Sequence, residues 1–165
     1  MSRAGSIKSF VPSLLDRLKD ERSGTSNEPS TDHSVTIGIL KEQVKKDLQN
    51  LLNTRIKYRK KELDAINQLP ELRESILLFG LPDFTPMSLS RPESQLVVKR
   101  AVEQAIHRFE PRLAHVVVSM IDPDKFDRCL RFRIDASLRV EPTPEPVSYK
   151  TDLDLSSRQF TLEPA

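Results

Sequence analysis

The feature that most constrains this chain is a change of hydrophobic period at one proline. Upstream of Pro111, apolar residues recur every three or four positions, as on one face of a helix. Downstream they alternate, as on a half-buried strand. Such a chain places its helices first and its sheet second. The fold class this predicts is α+β, with N-terminal helices packed on the buried face of a small antiparallel β-meander.

The first helix is expected from about residue 35 to 55, where Ile37, Leu40, Val44, Leu48, Leu51 and Leu52 share one face and Lys41, Lys45, Lys46 and Asp47 lie largely elsewhere. Gly38 weakens its first turn. A shorter helix is expected near residues 71–78, with Leu72, Ile76 and Leu77 on one face, Pro70 before it and Gly80 after it. The third has the best-marked ends. Ser90-Arg91-Pro92-Glu93 reads as a capping box, Leu96, Val97, Val98, Ala101, Val102, Ala105, Ile106 and Phe109 form a wide apolar stripe, and Pro111 stops the helix.

Beyond Pro111, Val116–Met120 reads as a short apolar strand and Asp122-Pro123-Asp124 as a turn. Leu130, Phe132, Ile134, Ala136, Leu138 and Val140 then alternate with polar residues, giving a strand of about eleven residues at ~3.3 Å each. The proline-rich stretch from Glu141 to Pro146 breaks it. Val147, Tyr149, Thr151, Leu153 and Leu155 alternate again, and a last short strand is expected around Gln159–Leu162.

A length of 165 residues suits one domain, read here as residues 35–165. Residues 1–34 form an N-terminal segment and flexible linker. Ser13–Leu18 suits a short helical turn, and the stretch from Arg22 to Ser34 is linker-like by composition. The net charge of +2 argues against a nucleic-acid coat or a polybasic membrane binder as a whole-chain identity. No purely apolar run, Val116–Val118 included, comes near the roughly 18–20 residues that span a bilayer. The N-terminus lacks the continuous apolar core of a secretory signal, so a cytoplasmic protein is expected. A single cysteine forms no internal disulfide and fits a reducing compartment.

Catalytic and cofactor chemistry finds little support. His33, His107 and His115 include no pair four residues apart and, with Cys129 the lone thiol, make no expected metal site. The glycines form no phosphate-binding loop and no serine sits in a nucleophile elbow, so no cofactor is expected. Cys129 reads as packing. The basic run Arg55–Lys61, five cations in seven residues, reads as a solvated face at a helix exit; a nucleic-acid module acting through it would predict salt-dependent binding. Residues 141–165 carry five acids against two bases, so the two charged regions suit oppositely charged partners. The most pointed segment is Phe109-Glu110-Pro111-Arg112-Leu113. Glu110 as the general acid of a peptidoglycan glycosidase would need a second carboxylate at a set separation, and Arg112 favours its ionised form. A structural or interface ion pair is the simpler reading.

Several segments in order resemble a known family: Ser13–Leu18; Asp47-Leu48 with Leu51-Leu52-Asn53-Thr54-Arg55; Phe79-Gly80-Leu81-Pro82-Asp83-Phe84; Phe109–Leu113; and Val140-Glu141-Pro142 with Pro144-Glu145-Pro146-Val147. Together they are similar to TssE, the baseplate subunit of bacterial type VI secretion systems, related to the "lysozyme-like" wedge protein of contractile phage tail baseplates. The resemblance implies a non-enzymatic wedge subunit, without catalytic residues, that looks like a fragment of the contractile sheath protein. Other wedge subunits and sheath subunits are the implied partners, and the cytoplasmic side of the bacterial inner membrane the implied location. The family's Glu-Pro-Arg contact motif carries over to Glu110, Pro111 and Arg112. Both flanking charges, delivered from a rigid junction, are expected to serve assembly while leaving the monomer folded when removed. The long alternating strand would offer a partner strand an open edge, its outer face kept soluble by Arg131, Arg133 and Arg139.

Overall fold

A computed structural model describes residues 37–58, 60–73, 75–88, 91–121, 129–141 and 143–165. The turn expected at Ser13–Leu18, the linker, Ser90 and the turn at Asp122–Asp124 lie outside them. The chain divides after Val44 into two units, and of the first only 37–44, the opening of a helix, is described. The second, Lys45–Ala165, carries the sheet and its core.

Helix α1 spans Ile37–Asn53. Val44, Leu48, Leu51 and Leu52 are buried, as the spacing predicts, and Ile37 and Leu40 are half-buried. Helix α2, Lys60–Asn67, was not expected. It carries only Leu63 and Ile66 as half-buried apolar residues, too short a pattern to stand out beside the basic run. The helix expected at 71–78 is broken in two. Helix α3 is the four residues Pro70–Arg73, and a 3₁₀ turn follows at Ile76–Leu78. Between them Ser75 donates both its N–H and its hydroxyl to the Leu72 carbonyl, at 3.2 and 2.7 Å, ending the α-helical pattern. Leu78 therefore reaches the core, while Ile76 and Leu77 remain exposed.

Helix α4 runs Pro92–Phe109 with Pro92 in its first turn. Its N-cap is Arg91, without a side-chain capping bond, so Glu93 stands one position too early for the expected capping box. The buried stripe is narrower than predicted: Val98, Val102, Ala105 and Ile106 are buried, whereas Leu96 and Val97 are exposed.

The four strands are β1 Leu113–Met120, β2 Cys129–Leu138, β3 Glu145–Asp154 and β4 Phe160–Pro164. They form an antiparallel meander in the order β1-β2-β3-β4. Strand β1 starts three residues before Val116, and the register with β2 slips between Ala114 and Val117, where His115 has φ +52°. Strand β3 includes Glu145 and Pro146, which had been assigned to the break. The proline is tolerated because β4 lies beside β3 only from Tyr149 onward. Cross-strand rows Leu130–Leu153–Phe160 and Phe132–Thr151–Leu162 lie on the buried face. Phe132 and Phe160 pack with ring centroids 6.4 Å apart.

The expected open edge is not on the long strand. β2 is paired on both sides, and the outer strands are β1 and β4. Alternation reports which face of a strand is buried but not which neighbours flank it. Both outer strands are partly covered by side chains. Glu103 of α4 accepts a hydrogen bond from the Val118 N–H at 3.0 Å on β1. On β4, the Asn53 amide pairs with the Phe160 N–H and C=O at 2.8 and 2.9 Å. One amide side chain thus imitates a neighbouring strand at that position.

Candidate partner-binding site

The Glu-Pro-Arg segment sits where α4 gives way to β1. The Glu110 N–H completes the helix by bonding the Ile106 carbonyl at 2.9 Å, and the Glu110 carbonyl accepts from the Leu113 N–H at 3.1 Å. Pro111 turns the chain between them and is exposed. This tight turn folds the Glu110 side chain inward, where the residue is 3% exposed.

Arg112 meets it with a two-pronged contact. Its Nε donates to Glu110 Oε1 at 2.6 Å and its Nη2 to Oε2 at 2.5 Å. The same Nη2 also reaches Asp47 Oδ2 on α1, at 2.5 Å. The Arg112 carbonyl accepts from the Arg139 N–H at 2.8 Å, just beyond β2. One residue thereby ties the end of α4 to α1 and to the sheet. The Glu110 hydrogen bonds raise the Arg112 pKa above its ordinary value; partial burial opposes this and the Asp47 bond reinforces it.

The structure thus unites Glu110 and Arg112, as the sequence suggested, and adds Asp47, which it did not. The helical pattern placed Asp47 off the buried face of α1 but gave no sign of what that flank meets. What faces solvent is Pro111, half of Asp47 and part of Arg112; Glu110 lies behind them. Both carboxylate oxygens of Glu110 are taken by Arg112.

Two more of the quoted segments, the one ending at Arg55 and the one from Phe79 to Phe84, interlock with each other. Thr54 closes α1 by returning its N–H and hydroxyl to Asn50, and its carbonyl accepts from the Leu81 N–H at 2.9 Å. The Ile56 N–H bonds the Leu81 carbonyl in turn, so Arg55 and Leu81 form a short parallel bridge. Gly80 makes this approach possible. It has φ +115°, and a Cβ there would stand 2.5 Å from the Thr54 carbonyl oxygen.

A sequence model described as baseplate wedge protein gp25 matches residues 39–143. The chain belongs to this family. It is the family of TssE, as the ordered segments suggested. No curated protein matches the chain significantly. The match takes in all the residues of both joints just described and ends before β3 and β4. The fold agrees with it: a helix precedes an antiparallel four-stranded sheet.

In this member of the wedge family the basic run is divided. Arg55 turns inward, donating to the Leu52 carbonyl at 2.8 Å and the Arg158 carbonyl at 2.5 Å, and lies over the Phe160 ring at 5.8 Å. Burial lowers its pKa, an effect that Asp83 opposes and Arg158 adds to. Lys57 is exposed, and Lys60 and Lys61 open α2. His107 and His115 are exposed and Cys129 is half-buried, while His33 lies outside the described residues. Among the described residues, no group of three or more His, Cys, Asp or Glu could hold a metal ion, and no helix is long and apolar enough to cross a membrane.

Proposed function

We propose that this chain is the TssE-type wedge subunit of a type VI secretion baseplate, which binds other wedge subunits and nucleates the contractile sheath. The family match over residues 39–143 carries the reading, and the ordered motifs favour the secretion system over a phage tail. Its partner-binding site is the Glu110-Pro111-Arg112 turn, where a buried carboxylate and a helical aspartate fix the guanidinium in advance. Such pre-organisation leaves little side-chain entropy to be lost on contact. The work of the site is assembly at the cytoplasmic face of the inner membrane, not catalysis.

Sheath nucleation by strand addition fits β4 better than β2. Asn53 covers the outward N–H and C=O of Phe160, but those of Leu162, two residues on, face the same way and have no partner among the described residues.

Deletion of the gene tests the function, with a fluorescent sheath subunit as the reporter. Sheath assembly and effector export should both disappear; sheaths that form normally would sink the proposal. For the site, Arg112→Lys keeps the charge and loses the fork. It should stay folded with a lowered melting temperature and fail to co-purify wedge partners, and normal co-purification would reject the turn as an interface.

A further inference from the structure

Beside the Phe109 end of α4 lies a half-open groove of about 220 Å³, lined in part by Ile56 and Gly80 of the second joint but not filled by them. Its floor is apolar, with Ile56, Leu78 and Phe109, and Leu63 of α2 forms the far wall. The near wall is α4, where Ala101 and Ala105 are too small to fill the space. The volume is below the ~300–1,000 Å³ typical of small-molecule pockets, and suits one or two anchoring side chains from a protein.

The near rim carries a charge pattern. Arg100, Gln104 and Arg108 stand four residues apart along α4, a row of about 12 Å at 1.5 Å per residue, and all three are exposed. Neither arginine has a carboxylate partner among the described residues; Arg108 rests only over the Phe109 ring, 5.8 Å away. One turn before Ala101, the exposed Val97 prolongs the apolar stripe. On the far side Leu63 is the residue of α2 that lines the groove. An occupant therefore needs acids on its α4 side, beside an apolar ridge that enters the groove.

We infer that the groove docks an amphipathic helix of another baseplate subunit, its apolar ridge seated between α4 and α2 and its acidic residues paired with Arg100 and Arg108. The inference rests on the baseplate reading above and gives the chain a second contact, distinct from the Glu110-Pro111-Arg112 turn. A helix fits better than a strand. Residues of small volume at positions i and i+4 let a second helix lie close along the first, and the cation spacing repeats that of a helical partner.

A photo-crosslinking amino acid at Gln104, in the full chain within its native cell, tests the contact directly. The expected product joins Gln104 to a peptide of a baseplate subunit with acidic residues three or four apart beside an apolar stripe. Arg108→Glu should cut recovery of that subunit at least about tenfold without shifting the thermal melt, and reversing the cross-linked acid to Lys should restore it. Ala101→Phe, which fills the groove, should act likewise and has no charge-swap rescue. Cross-links to a strand, to a second copy of this chain, or to nothing while wedge subunits still co-purify, would overturn the groove and leave the baseplate reading standing. If the wild-type chain co-purifies with no baseplate subunit, both fall.

Discussion

At Arg112 one guanidinium serves two carboxylates that are 63 positions apart in the chain, and they are not equivalent. Glu110 is buried and Asp47 is half-exposed. Arg112→Ala strands the buried charge and should cost about 3 kcal/mol of stability in urea denaturation, the lower end for a buried pair because Arg112 keeps some exposure. Asp47→Ala removes a partner that water can replace and should cost about 0–1 kcal/mol. Because the Arg112 pKa is raised on folding, its contribution is present below the unfolded value and would be lost only above it, beyond working pH. Thr151 offers a contrast. It is 1% exposed on the core face of β3, and its hydroxyl has no hydrogen-bond partner among the described residues. Thr151→Val keeps the shape and removes the unpaired group, so it should raise stability by about 1 kcal/mol, read as a higher melting temperature.

Between elements, contacts depend on backbone that comes close enough to bond, and Gly80 shows how strict this is. Gly80→Ala combines a strained φ with a collision against the Thr54 carbonyl, and should cost about 3 kcal/mol. Amide exchange at Ile56 and Leu81, the two donors of the bridge, should accelerate first; protection as in wild type would contradict this account. The elements themselves were legible where the signal is local. Pro92 and Pro111 mark the ends of α4, and alternation marks β2 and β3. The break at Ser75 was not legible, because a hydroxyl competing for the Leu72 carbonyl looks no different in sequence from a tolerated helical serine. Leu96 and Val97 misled for another reason: a helical stripe shows what can be buried, not what its neighbours are wide enough to cover. The site was half legible. Glu110 and Arg112 are two residues apart, but nothing local connects Arg112 to Asp47, Asn53 to Phe160 or Thr54 to Leu81.

For the molecule as a whole, the outer strands matter most, since an uncovered strand edge invites a second chain. Glu103 guards β1 by occupying the Val118 N–H. Glu103→Ala should therefore produce concentration-dependent self-association in sedimentation experiments, while circular dichroism stays unchanged; a strictly monomeric variant would show that the edge is shielded by other means. The bonds that finish α1 have a consequence for how the chain is made. Asn53 waits for Phe160 and Arg55 for Arg158, partners 107 and 103 residues further along. At ~5–20 residues per second, a ribosome delivers them roughly 5–20 s after the helix itself. Throughout that interval Leu48, Leu51 and Leu52 belong to a helix with an unfinished end and an incomplete sheet to cover them. The nascent chain is thus most exposed to capture by chaperones, or by its neighbours, just before its final strand emerges.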